Sequence, residues 1–323
     1  MKAFQGFYSA TLLSDKKLLC SQDIIRFQKQ VHPNQVTYIK QLRELKSAGA
    51  TNFGLIYDLD DSYINIPEYH YCKTIYLENN VIPALQTVFQ NVDLVTCSTK
   101  YLKIKMQQLK GNTLGGCHFS VLPNLIPKYL YKSYLLKVEN PKPVILWAGS
   151  NSHFSDTDMG DLGLIYDLIK NTQDEFDWIL MSYSLPKQFD SFKFKRVPWL
   201  RNIYDYPRIL RSFNADFGIG ALLPNEFNKC KSAIKSMEYS AQNIISLNSD
   251  LEPYQNKGTS IFFSGDWKTD RETIIDTFQN KIKMQEYIHN QNEWMKDYWL
   301  EDNLHIYSNL LGIKVPPQGK SLI

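Results

Sequence analysis

Short apolar runs that stop abruptly at small or polar residues recur along this chain, and segments with helical spacing separate them. Residues 53–59 (FGLIYDL) run straight into Asp60 and Asp61, residues 93–98 (DLVTCS) stop at Thr99, and residues 144–148 stop at Gly149 and Ser150. Runs of this length read as buried strands, as do residues 121–124, 178–181 and 217–219. Between them, Val36, Ile39, Leu42 and Leu45 recur at helical spacing after Pro33, a residue suited to a first helical turn. Helices are likewise predicted at 76–89, with a stripe of Leu77, Val81, Leu85 and Val88, at 100–109 behind a Thr99 cap, at 162–169 and at 204–213. Such alternation predicts an α/β fold with parallel, doubly wound sheets. Residues 2–13 read as the start of the first sheet, and residues 21–32, with Arg26, Lys29 and His32, as a polar loop or short helix.

A chain of 323 residues exceeds what one core usually serves, so two domains are expected. The composition turns to Tyr, Lys and Pro without a period between 127 and 143, which reads as a linker. The expected division is 1–135, 136–292, and a terminal helix and tail over 293–323. No run of 18 apolar residues and no cleavage-site pattern occurs, which predicts a cytoplasmic protein without a transmembrane segment. Five scattered cysteines without a C-x-x-C pair argue against a disulfide framework or zinc site. Residues 1–140 hold 16 Lys and Arg against 10 Asp and Glu, whereas the remainder holds 20 against 23. That asymmetry points either to an anionic partner on the N-terminal side, DNA or a phosphorylated lipid among them, or to a surface that is merely lysine-rich.

Three stretches carry candidate chemistry. Asp58, Asp60 and Asp61 lie at the carboxyl end of a predicted strand, where open parallel sheets bind ligands. They suit a cation, a base or an acceptor hydroxyl, and equally a turn or helix cap. Gly149 and Ser150 form a small-residue turn that lets backbone approach a ligand, with His153 near the substrate or serving as a cap. Residues 227–254 read as a basic loop, a helix, a buried strand and a polar turn. Lys229, Lys231, Ser232 and Lys235 lie near the helix start, where N–H groups and the dipole favour a phosphate. Glu238 shares their face while Met237 and Ala241 turn inward. Cations beside a carboxylate match a diphosphate next to vicinal hydroxyls, as in a nucleotide sugar.

The pattern F-N-x-x-K-S-x-x-K-x-x-E-Y from Phe227, followed by a strand and S-D-x-x-P-Y, resembles the donor segment of retaining GT-B glycosyltransferases of the group 1 or family 4 type. D-x-V-T-x-S-T from Asp93 and V-x-P-N from Val121 resemble the end of that family's acceptor domain. The resemblance implies two Rossmann-like domains facing a cleft, a C-terminal helix crossing back to the first, no metal or cofactor, and a nucleotide-sugar co-substrate, UDP-linked. It assigns Glu238 to the ribose and Lys231, Ser232 and Lys235 to the phosphates. It places G-S-x-x-H, with Gly149, Ser150 and His153, beside donor and acceptor. Many members carry a second glutamate eight residues before the ribose-binding one, and here that position is Cys230. The expected catalytic residues are Asp60, Asp61, His153 and Lys231. The stretch Y-D-L-D-D-S-Y-I-N-I-P and the compact length resemble glycosyltransferases of large tailed phages, which implies a hydroxymethylated pyrimidine in DNA as acceptor, with Lys100, Lys103, Lys105 and Lys110 on phosphates. The alternatives are a saccharide or lipid-linked acceptor, a non-catalytic nucleic-acid-binding protein, and a nucleotide-sugar epimerase.

Overall fold

The computed structural model describes residues 22–29, 31–78, 80–111, 116–133, 137–200, 202–255 and 258–312. The expected strand at 2–13 lies outside them. Contacts divide the chain into two compact units, one holding 1–63 and 75–121 and the other Ile64–Thr74 and Leu122–Ile323. The first unit thus closes at Val121, ahead of the boundary expected at 135, and lends a short segment to the second.

In chain order the elements up to residue 121 are β1 (Ile24–Gln28), α1 (Pro33–Ser47), β2 (Gly54–Leu59), α2 (Lys73–Glu78), α3 (Val81–Asn91), β3 (Leu94–Cys97), α4 (Lys100–Lys110) and β4 (His118–Val121). The strands form a parallel sheet in the order β1-β2-β3-β4. Leu55, Tyr57, Val95 and Cys97 are wholly buried, and so are Ile39, Leu85, Val88, Phe89, Leu102 and Met106 from the helices. Each such aliphatic or aromatic side chain contributes about 1.5–3 kcal/mol by leaving water. Helix α1 starts at Pro33 as predicted, and His32 and Gln35 close a capping box on its first turn. Thr99 caps α4 by accepting from the Leu102 amide at 3.1 Å.

Three expectations fail here. The strand expected over 121–124 runs instead over His118–Val121, its last residue paired with Cys97, and stops before Pro123, which has no N–H for a ladder. Residues 21–32 contain β1 rather than a loop or helix, because Phe27 is buried and Ile24 and Ile25 half-buried beside β2. The helix expected over 76–89 is two helices: Asn80 turns left-handed at φ 47, and Pro83, lacking an N–H, is tolerated in a first turn but not in a helix interior. Leu77 consequently leaves the stripe and stands 67% exposed, whereas Val81, Leu85 and Val88 are buried.

The second unit continues with α5 (Lys128–Tyr131), β5 (Val144–Ala148), α6 (Gly163–Thr172), β6 (Asp177–Ser182), β7 (Lys195–Pro198), α7 (Asp205–Ser212), β8 (Phe217–Gly220), α8 (Glu226–Lys229), α9 (Ile234–Ser240), β9 (Ile245–Asn248), β10 (Ser260–Phe262), α10 (Trp267–Gln279), α11 (Lys281–Trp294) and α12 (Leu304–Leu311). Its six-stranded parallel sheet has the order β10-β9-β8-β5-β6-β7. Ile145 and Trp147 of β5 enter one core, with Trp178 and Leu180 of β6, while Val144, Leu146 and Ala148 enter the other, with Ile179 and Met181. Alternate residues of each strand therefore face opposite sides, and helices cover both. Gly218 leaves room for α9, since a Cβ there would lie 2.6 Å from the Tyr239 ring.

The stretch expected to be a linker is built into this unit: it carries α5, and Tyr131 is buried. The C-terminal region is not one helix. Helix α11 ends at Trp294, a 3-10 turn over Met295–Asp297 follows, and α12 begins at Leu304. Met295 and Trp299 are buried in the core of the second unit, and Trp299 bridges Ile126.

Candidate functional site

In a parallel sheet the ligand crevice lies at the carboxyl ends of the strands where chain order reverses. In the second unit this point lies between β5 and β8, and the loops that follow them meet there. The loop after β5 runs through Gly149 and Ser150 into a 3-10 turn over Asn151–His153. Ser150 caps that turn, with its hydroxyl 2.7 Å from that of Ser152. Gly149 is required by its own neighbour, because a Cβ there would come within 2.4 Å of the Trp147 ring. That Cβ would also press on the His153 ring, 3.1 Å from its Cδ2, so the backbone of the turn packs closely against both rings.

His153 meets a group that the sequence did not single out. Its Nδ1 is 2.8 Å from Oδ2 of Asp161, which is completely buried. The other oxygen, Oδ1, accepts from the Tyr69 hydroxyl at 2.9 Å, the Asn228 amide at 2.9 Å and the Leu223 backbone N–H at 2.7 Å. Burial drives the His153 pKa below its ordinary value, helped by the charges of Lys231 and Lys235 and opposed by its bond to Asp161. The ring is therefore neutral near pH 7.

The stretch from Phe227 to Tyr254 folds differently in detail from the sequence reading. Helix α9 starts at Ile234, so Lys231 and Ser232 precede it and only Lys235 and Glu238 lie on it. Met237 and Ala241 turn inward as expected. Ser232 accepts from the Asn124 amide at 2.8 Å, and the Lys231 ammonium lies 5.0 Å from the centre of the Phe227 ring. Cys230 is buried, and its thiol does not offer the acceptor oxygens of a carboxylate.

Glu238 and Lys235 form a nearly buried ion pair at 2.9 Å. The Tyr206 hydroxyl stands 3.0 Å from both Glu238 Oε2 and the Lys235 ammonium, and the Tyr131 hydroxyl lies 3.5 Å from Oε1. Burial alone would lower the Lys235 pKa, but the Glu238 carboxylate reverses this and holds it raised. Burial, with Glu238 adding to it, pushes the Tyr206 phenol far up. The pair thus keeps a cation and an anion side by side with Oε1 lightly engaged. An aromatic ladder leads outward from it: Trp199 lies 5.9 Å from Tyr206, and Tyr183, more than half exposed, lies 5.9 Å from Trp199.

In the first unit the acidic cluster divides. Asp58 is buried and committed to Arg26 and Thr96, so it is structural. Asp60 and Asp61 share one cation, Lys29, at 3.3 and 3.5 Å. Lys29 stands just beyond β1 in the left-handed region, at φ 51. Although burial would lower its pKa, the two carboxylates raise it, so it stays charged. An ammonium thus occupies the place between the carboxylates that a divalent cation would need, and among the described residues no group of three His, Cys, Asp or Glu could hold a metal. The three groups stand at the carboxyl ends of β1 and β2.

Comparisons with known proteins rest on shape. No protein-family model matches the sequence, and no curated protein matches it. Solved structures do match over 94% of the chain. Anabaena HepE in complex with UDP and glucose aligns with a TM-score of 0.64 at 12% identity, over 81% of its chain. An alpha-glucosyltransferase in complex with UDP-glucose and DNA containing an abasic site aligns with 0.62 at 11%, over 82%. Trehalose-6-phosphate synthase, solved in work on glycosyl transfer with retention, aligns with 0.60 at 12%, over 77%.

The fold is GT-B. Within it, the structure brings His153, Lys231, Lys235 and Glu238 to the carboxyl side of the second sheet, and holds Asp60 and Asp61 together in the first unit. Asp161, Tyr69, Tyr131 and Tyr206 escaped the sequence reading because their partners are distant in the chain; the three donors to Asp161 Oδ1 come from 62, 67 and 92 positions away. Only Asn228 had a local signal, as the Asn of the F-N pair. A cavity of about 240 Å³ lined by Lys137, Arg211, Asn214 and Gln242, among others, lies at the amino ends of β8 and β9, and none of the predicted site residues borders it. No helix among the described residues is long and apolar enough to cross a membrane.

Proposed function

We propose that this chain transfers a sugar, with retention, from a UDP-linked nucleotide sugar to an acceptor hydroxyl, and that the acceptor is a hydroxymethylated pyrimidine in DNA. The observation that carries the reading is the Lys235–Glu238–Tyr206 cluster at the carboxyl side of the second sheet. A buried cation beside a buried acceptor suits a ligand that is anionic at one end and hydroxylated at the other. Glu238 takes the ribose hydroxyls, and Lys235 and Lys231 face the diphosphate. The exposed Tyr183 and half-buried Trp199 give ring surface for the base. Departure of the nucleoside diphosphate puts charge on the distal phosphate, and fixed cations in a nearly dry site stabilise that charge more than water would.

Asp60 and Asp61 belong to the acceptor side, where carboxylates neutralised in part by Lys29 accept from a hydroxyl without binding metal. The DNA acceptor is supported by the likeness to an alpha-glucosyltransferase in complex with DNA and by α4, which carries Lys100, Lys103, Lys105 and Lys110. Phosphate contacts of this kind position a duplex without reading it, and the enzyme must then extrude the base or reach its hydroxymethyl group in the groove. Retention is supported by the likeness to trehalose-6-phosphate synthase.

The test is release of nucleoside diphosphate from a panel of nucleotide sugars, with and without hydroxymethylcytosine DNA. Release from a UDP-sugar that this DNA stimulates is expected. Release without stimulation replaces DNA by a saccharide or lipid-linked acceptor. Silence across the panel, with salt-sensitive DNA binding, identifies a binding protein instead.

A further inference from the structure

Asp161 is a buried acid of the second unit that meets four hydrogen-bonding partners, and no role follows for it from donor or acceptor binding. Its surroundings are asymmetric. Oδ1 takes three donors: a backbone N–H, an amide and a phenol. Oδ2 is left for one ring nitrogen, His153 Nδ1. A carboxylate only accepts, so Nδ1 must carry the proton. Nε2 then keeps its lone pair, on a ring whose side chain remains 14% exposed.

We propose that Asp161 is a positioning residue: it locks His153 in the Nδ1–H tautomer so that Nε2 accepts a hydrogen bond from a hydroxyl of the bound substrate. The three donors on Oδ1 come from the loop after β8, from α8 and from the segment Ile64–Thr74, and they fix the plane of the carboxylate. Gly160 contributes as well. It stands at φ 48, and a Cβ there would meet the His153 carbonyl at 2.3 Å and the Tyr69 ring at 2.8 Å, so the loop bearing Asp161 closes tightly on both partners. The groups facing the imidazole are Asp161, Lys231, Lys235 and the Trp147 ring edge. Both lysines disfavour a second proton on it, which keeps the neutral tautomer in use.

The decisive variant is Asp161→Asn. Its carbonyl oxygen must face the Leu223 and Asn228 donors, since an NH2 group there would oppose two N–H groups. The amide nitrogen then points at His153 and forces the proton to Nε2, so the acceptor becomes a donor. Nitrogen-15 NMR of histidine-labelled full-length protein, with the His153 signal identified by His153→Gln, should show the Nδ1–H tautomer in the wild type and Nε2–H in Asp161→Asn. An Nε2–H wild type overturns the proposal, whether or not any variant folds. This arm needs no substrate, so it is decided separately from glycosyl transfer, on which the substrate part of the inference rests.

In the kinetic arm, Asp161→Asn should lower kcat/KM for UDP-sugar turnover roughly 10- to 100-fold, the usual range for a lost hydrogen bond between substrate and a positioned group. Combined with His153→Ala it should cost nothing further. Equal losses in both backgrounds would show that Asp161 supports the fold alone.

Discussion

Glu238 is the residue on which the donor reading turns. Replacing it by Gln keeps the shape and the bond to Tyr206 but removes the charge that Lys235 and a ribose would share. Affinity for a UDP-sugar should fall by about 1–3 kcal/mol, as for other charge-assisted hydrogen bonds, and titration calorimetry would measure it; unchanged affinity removes Glu238 from the ribose. Asp60→Asn should leave that affinity intact and lower transfer to acceptor, because its carboxylate is held by Lys29 in the first unit. Full transfer activity would return Asp60 to a structural role. His153 gives a pH signature. Its folded pKa is depressed below the unfolded value near 6.5, so the unfolded chain binds the proton first. Stability from this group is complete above about pH 6.5 and is lost as the pH falls through the depressed value. Turnover should decline on the same acid limb, with Asp161, Lys231 and Lys235 as the charges that set it. An acid limb unchanged by His153→Gln would reassign that limb to another group.

At the scale of elements, close packing at β8 is the sensitive point. Gly218→Ala would drive a methyl into the Tyr239 ring, which joins α9 to the strand through a bond from its hydroxyl to the Ile219 carbonyl. Overpacking of this kind costs about 1–3 kcal/mol, and denaturant unfolding should show that loss together with weaker UDP-sugar binding, since α9 carries Lys235 and Glu238. The alternation of apolar runs and helical spacings placed most of these elements, because burial on both faces of a parallel sheet leaves its strands apolar whatever their neighbours. It misjudged residues 21–32, where Arg26 and Lys29 made a strand look polar; both cations are explained by carboxylates on β2 and just beyond it. It also ran one helix through Pro83, although the missing N–H was visible in the sequence.

For the whole molecule, the segment Ile64–Thr74 matters out of proportion to its length. It leaves the first unit after Tyr63 and belongs by its contacts to the second, where Tyr69 donates to Asp161 and the His70 ring meets Phe227 edge-on at 5.2 Å. A fragment beginning at Leu122 lacks these groups and leaves a buried carboxylate short of one donor. It should unfold at lower denaturant than the same unit in the full chain, and equal midpoints would show that Tyr69 contributes nothing. The sequence by itself determined the α/β class and two parallel-sheet units, because these depend on local periodicity, and it set Lys231, Lys235 and Glu238 within one short stretch. Only the tertiary structure decided that Asp58 is structural, that Lys29 neutralises Asp60 and Asp61, and that Asp161, Tyr69, Tyr131 and Tyr206 surround His153 and Glu238. Those pairings join positions far apart in the chain, and side-chain hydrogen bonds act over about 3 Å, so the folded backbone alone brings their partners within reach.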